Sequence, residues 1–114
     1  MIYLASPYTA PPGPNKKAIE EERYQSVLRF AGRLLAKRNK VWSPVVHCHV
    51  LAQLYDLPTD HLFWKEFNHD FIRRCDGMYV AKIEGWEHSA GIEDEVNFAY
   101  LLGVSVTYID EAGL

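Results

Sequence analysis

The chain has 114 residues, 48% of them hydrophobic, with a net charge of −3 and two cysteines. That length suits a single domain, residues 1–114, which buries roughly two-thirds of the surface its unfolded chain exposes and so folds without staples. No run of Lys or Arg exceeds two residues, which argues against a surface for a nucleic-acid polymer but not against a single nucleotide as ligand.

No stretch is long enough to span a membrane, and "MIYLASPYT" lacks the basic start and long apolar core of a leader. Cys48 and Cys75 form neither a disulfide framework nor a zinc spacing. A reduced, cytoplasmic protein is expected.

The first element is a short apolar run, Ile2–Ser6, stopped by Pro7; it reads as a buried strand. "PYTAPPGPNK" is dense in Pro and Gly and must be a loop. From about Ala18 the pattern turns helical: Tyr24, Val27, Leu28, Ala31, Leu34 and Leu35 recur at three- and four-residue spacing. Glu20–Glu22 stand at its start and Lys37, Arg38 and Lys40 at its end, an order that suits the helix dipole. "KVWSP" predicts a second strand ended by Pro44. "VVHCHVLAQLYDLP" fits either a short helix or an ordered loop. "TDHLFWKEFNHDFIRRCD" predicts a helix capped by Thr59 or Asp60. "GMYVAKI" (Gly77–Ile83) predicts a third strand. The last helix begins at Ser89 or Gly91 and runs to Leu102, with Gly103 as its C-cap, and "VSVTYI" (Val104–Ile109) predicts a fourth strand.

Strands alternating with helices predict an α/β domain with a mostly parallel sheet of four to five strands and right-handed crossovers. Ligands of such sheets bind beyond the carboxyl ends of the strands. Those ends are the Ser6–Thr9 loop, the Ser43–His49 segment and the Ile83–Ser89 loop.

The last helix carries three consecutive carboxylates, Glu93, Asp94 and Glu95. On a wheel of about 100° per residue, Glu95 falls inside the arc of Ile92, Val96, Ala99 and Leu102. Glu93, Asp94 and Asn97 fall on the opposite side and read as a solvated face. A carboxylate on the packed face needs a partner, a cavity or a chemical task, since unpaired burial is costly. A salt bridge to Arg23 or Arg73 would be the structural explanation of Glu95; a reactive carboxylate would be the functional one. Ser89 and Gly91 likewise read either as a cap and a turn or, with the free amides of a helix start, as an anion site.

"YLASPY", the "CD" before the third strand and "GWEHSAGIEDEVNFAYLLG" resemble the nucleoside 2-deoxyribosyltransferase-like superfamily, in particular a small bacterial and phage branch near the nucleotide N-hydrolases. The resemblance runs from Ile2 to about Val106. It implies a single-domain Rossmann-like (flavodoxin-like) three-layer fold and no cofactor. It implies that Glu95, followed by Ala99 and Gly103, is a nucleophile that attacks the anomeric carbon and forms a glycosyl ester, resolved by water or by another base. Ser89, six residues earlier, stands where the transferases carry an aspartate for the 5′-hydroxyl and the hydrolases a serine for the 5′-phosphate. The expected ligand is therefore a (2-deoxy)nucleoside 5′-monophosphate. Ser6 and Tyr8 are expected to line the sugar and base. A second carboxylate on the helix before the third strand orients the reacting groups; Asp70 is the nearest by sequence. Trp86 could stack on the base or cover the core. "APPGPNK" departs from the glycine- and arginine-rich phosphate loop of the hydrolases. A homodimer or larger homo-oligomer is implied.

Other classes of function remain open on the sequence. A binding or sensing module would keep Ser89 and the helix start without needing an ionised Glu95. His47 and His49 in "HCH" could bind a metal given a third ligand. Cys48 beside those histidines is a weaker nucleophile, since adjacent residues seldom converge.

Overall fold

The computed structural model describes residues 1–114. The first apolar run forms strand β1 (Ile2–Ala5), and the Pro-rich loop leads into helix α1 (Lys16–Ala36). The buried stripe of α1 is Val27, Phe30, Ala31 and Leu34, narrower than the spacing suggested. Phe30 is fully buried, whereas Leu28 and Leu35 lie outside the stripe and are exposed. Strand β2 is only Val41–Trp42. The next residue, Ser43, accepts a hydrogen bond from the Val46 amide, and Pro44 takes the first helical position, where its missing N–H is not needed. This cap resolves the ambiguous segment into helix α2 (Pro44–Tyr55).

Asp60 caps helix α3 (His61–Arg74) by accepting from the Phe63 amide. Strand β3 (Gly77–Ala81) follows, then a short 3-10 turn at Trp86–His88. Helix α4 (Ala90–Leu102) is capped by Ser89 and ended by Gly103 at φ +74°, a left-handed conformation that glycine adopts without penalty. Strand β4 (Ser105–Ile109) completes one four-stranded, all-parallel sheet in the order β2-β1-β3-β4. Ile2 pairs with Val41 and with Gly77, and Gly77 pairs in turn with Ser105.

The sheet divides two apolar layers. Tyr3, Ala5, Met78 and Val80 face Ile72 of α3 and Ile92, Val96 and Ala99 of α4. Leu4 and Ala81 face Val27, Phe30, Ala31 and Leu34 of α1, with Val45 of α2. The result is a Rossmann-like three-layer fold. No helix is long and apolar enough to cross a membrane. The neighbouring strands β1 and β3 send their following helices to opposite faces of the sheet. Their exit loops diverge and leave a crevice between them, the topological switch point at which open α/β sheets bind ligands.

Candidate functional site

A cavity of about 440 Å³ occupies that crevice. Its walls come from the Ser6–Pro11 loop, the start of α2, the turn into α3 and the start of α4. A cavity of this size holds a small organic ligand.

Glu95 lines the cavity and is only 4% exposed. The Tyr3 hydroxyl donates to its Oε2 at 2.6 Å, and Asn68 Nδ2 donates to the same atom at 3.2 Å. Oε1 makes no hydrogen bond within the protein. No cation neutralises it: Arg73 pairs with Asp70, and Arg23 donates to the Tyr8 and Thr9 carbonyls. Burial therefore dominates and pushes the carboxyl up from its ordinary 4.5 to about 7; the bonds from Tyr3 and Asn68 oppose this, and the charge of Asp94 adds to it. Burial, with the Glu95 carboxylate, also raises the Tyr3 phenol, which stays a donor.

The neighbouring carboxylates differ. Glu93 is exposed, as the wheel predicts. Asp94 is not simply solvated. Its Oδ2 lies 2.6 Å from His69 Nε2 and 3.1 Å from His61 Nε2, and Lys65 stands 3.4 Å from Oδ1. Only His69 is in line for a hydrogen bond; His61 Nε2 is buried beside the carboxylate without one. Burial would raise the Asp94 carboxyl, but the His69 hydrogen bond and the charges of His69, His61 and Lys65 outweigh it and hold it low.

The start of α4 forms one wall. Ser89 Oγ accepts from the Ile92 amide at 3.2 Å, and its own proton remains free to donate. The first helical amides, at Ala90 and Gly91, have no partner within the helix, and both residues line the cavity. Arg23, His61 and His88 reach the same cavity. Gly85, at φ +92°, makes room for Arg23: a Cβ there would lie 2.7 Å from Nη2 of the guanidinium. A hydroxyl and free amides at the start of α4 and basic side chains thus line one cavity, an arrangement suited to an anion.

The Pro-rich loop is anchored from beneath by buried Glu20. Glu20 accepts from the Ala10 amide, from the Thr59 hydroxyl and from Lys16. The loop presents Ser6 and Tyr8 to the cavity. Ser6 Oγ is buried and has no partner. The Tyr8 hydroxyl lies 2.6 Å from His49 Nδ1, and burial raises the phenol well above its ordinary value.

One expected residue lies elsewhere, and two open alternatives are decided by the packing. Asp70 lies outside the cavity; it is exposed and paired with Arg73 at 2.7 Å, because its place on α3 turns away from α4. Asn68, two residues earlier, stands beside Glu95 instead. Trp86 covers the core: it packs on Tyr108 at 5.6 Å under Lys82, and Trp64 is the indole on the cavity wall. His47 and His49 cannot share an ion, since residues two apart on a helix point to nearly opposite sides. His49 stacks on Tyr24 at 4.2 Å, whereas His47 lies against Trp42 and Phe67. Cys48 lines the cavity, but burial pushes its thiol up to about 11, away from nucleophilic use.

Tyr3, Arg23, Asn68, His61 and Trp64 were not singled out as site residues by the sequence. A tyrosine inside an apolar strand was the one available signal, since a buried hydroxyl requires a partner. The other four reach the site through tertiary packing that no local pattern encodes. A comparison with curated proteins found no match. The family described as Domain of unknown function (DUF1937) matches residues 1–111, and the chain belongs to it.

Proposed function

We propose that this member of the DUF1937 family cleaves the N-glycosidic bond of a nucleoside 5′-monophosphate through a covalent ester with Glu95. The observation that carries this reading is a buried carboxylate with no cationic partner, lining a ligand-sized cavity with one oxygen free. The anion-suited wall at Ser89 and Gly91 supports a phosphate on the same ligand, as does the resemblance of "GWEHSAGIEDEVNFAYLLG" to the nucleotide N-hydrolases. Trp64 offers an apolar face for a base.

In this mechanism Glu95 Oε1 attacks the anomeric carbon. A carbon–oxygen bond forms as the carbon–nitrogen bond breaks, and the bonding pair leaves on the base nitrogen, which takes up a proton. Water then attacks the same carbon, the ester bond returns its pair to Glu95, and the water gives up the balancing proton; another base in place of water would give transfer. Tyr3 and Asn68 fix the carboxylate so that Oε1 is the free oxygen. Asp70 does not reach the reacting atoms. The acceptor, water or base, is the open choice between hydrolase and transferase. The expected setting is the cytoplasm, with a second copy of the chain seated on exposed Leu54 and Tyr55 of α2 and Leu62 and Phe63 of α3.

A second reading has its own observation. A carboxyl that titrates near pH 7 is partly protonated at neutrality, and so can serve a binding or sensing module as a donor. One experiment separates the two. Incubation with nucleosides and 5′-nucleotides, with free base followed by chromatography, should give base release from the nucleotides. Glu95→Gln should abolish nearly all release while keeping nucleotide binding, and Glu93→Gln should change little. Binding without any release favours the sensing module; equal losses from the two variants sink the nucleophile assignment.

A further inference from the structure

Three buried polar atoms of residues that line the cavity have no hydrogen-bond partner within the protein; His61 Nε2 lies 3.1 Å from the Asp94 carboxylate, and the other two belong to Asn68 and Ser6. Asn68 is 7% exposed; its Nδ2 bonds Glu95, and its Oδ1 bonds nothing. Ser6 is 8% exposed, and its Oγ is likewise unpaired. Both residues line the same cavity as Glu95. The bond to Glu95 orients the Asn68 amide. In its ionised form, the one the proposed reaction needs, Glu95 only accepts, so the NH₂ group faces Glu95 and the oxygen faces away from it. Asn68 Oδ1 is therefore a preset acceptor next to the proposed nucleophile, and a buried acceptor without a donor is unfavourable until a ligand provides one.

We infer that Asn68 Oδ1 accepts a hydrogen bond from a sugar 2′-hydroxyl, so that the site selects ribonucleoside over 2′-deoxyribonucleoside 5′-monophosphates. This rests on the nucleotide reading above. In a β-nucleoside the base stands on one face of the sugar, and a carboxylate displacing it attacks C1′ from the other. The 2′- and 3′-hydroxyls of ribose lie on that second face. C2′ is bonded to C1′, so the 2′-hydroxyl falls beside the attacking carboxylate and beside the amide that shares its hydrogen bond. A hydroxyl there satisfies Oδ1, whereas the methylene of a deoxyribose leaves it unpaired. The 3′-hydroxyl is next on the same face, and Ser6 Oγ is the second unpaired atom available to it. Hydrogen bonds to the 2-hydroxyl strengthen as glycosides approach their transition state, so the contact would act on rate as well as on affinity.

The test uses the Glu95→Gln protein, in which binding is read without turnover. Tyr3 and Asn68 both donate to Oε2, so the glutamine places its carbonyl there and Asn68 keeps its orientation. Calorimetric titration with AMP, GMP, CMP and UMP, each against its 2′-deoxy counterpart, should favour the ribonucleotide by about ten- to a hundredfold for the base that fits. The 3′-deoxy analogue of that nucleotide should keep the Asn68 contact and lose less when Ser6→Ala is added. Adding Asn68→Leu should bring the ribo and 2′-deoxy affinities together. If Asn68 serves only to hold residue 95, both affinities fall alike and their ratio stays, which overturns the inference. Equal binding of each pair before any change at Asn68 overturns it too and leaves the nucleotide reading standing. Failure of all eight nucleotides to bind overturns that reading and this inference with it.

Discussion

Glu95 must be charged to act as a nucleophile, yet burial favours its neutral form. The conflict predicts how this one group makes stability depend on pH. A carboxyl that titrates at 4.5 when unfolded and at about 7 when folded binds more protons in the folded state between those values. The contribution of Glu95 to stability is therefore full below pH 4.5 and is lost as pH rises through 7, with a cost of about 3 kcal/mol once pH exceeds both values. Glu95→Gln removes this slope, so denaturant unfolding should find the variant more stable than the parent at pH 8 and little different at pH 4.5. Base release by the parent should rise over the range in which stability falls. Glu95 was visible in the sequence because a carboxylate broke an apolar arc. Asn68 was not, because an amide on a helix face breaks no rule, and its value comes only from meeting a residue 27 positions away. Asp70 was the carboxylate nearest the place the resemblance implies, and it is turned outward.

At the scale of the element, the start of α4 combines two roles in one hydroxyl. Ser89 Oγ accepts from the Ile92 amide and keeps a proton to donate. Ser89→Ala should lower stability by about 1 kcal/mol through loss of the cap. It should also weaken binding of a nucleoside 5′-monophosphate by roughly ten- to a hundredfold, since a hydrogen bond to a charged group is lost. Binding of the matching nucleoside should barely change; titrating both ligands against both proteins distinguishes a cap from a phosphate donor. The helices and strands were largely legible because caps and periodicity are local: Ser89, Gly103 and Asp60 mark ends as their chemistry requires. Helix α2 was ambiguous because "VVHCHV" mixes β-branched residues with histidine. The Ser43 cap and Pro44 at the first position decide it. The Pro-rich loop gave no hint of its anchor, because Glu20 reads as one of three acidic residues at a helix start and is buried only when the loop folds over it.

The whole molecule is governed by one topological choice. The chain runs from β1 to β2, then crosses back over β1 to reach β3, and this reversal opens the crevice between the β1 and β3 exits. Alternation of strands and helices predicted the parallel sheet, but strand order depends on long-range pairing that the alternation does not specify. The corner between α2 and α3 carries Leu54 and Tyr55 at 72% and 71% exposure and Leu62 at 78%. Thr59 and Asp60, just before α3, and His61, its first residue, lie on the cavity wall, so a second copy covering this corner would also shape the cavity rim. Sedimentation should find a dimer, and Leu62→Asp should shift it to monomer by placing an unpaired charge in the contact. A monomer at high concentration would refute the proposed interface.

The place of Trp64 has an optical consequence. Of the three tryptophans, Trp42 lies flat on Phe71 at 3.6 Å and Trp86 rests against Tyr108, both apart from the cavity. Trp64 alone lines it, with its indole nitrogen donating to the Pro58 carbonyl at 2.8 Å. A base seated against that ring exchanges the solvent around the fluorophore for a stacked π-system. With Trp42 and Trp86 replaced by phenylalanine, the protein would carry one intrinsic reporter on the cavity wall, and ligand entry could be followed by emission in real time without a label.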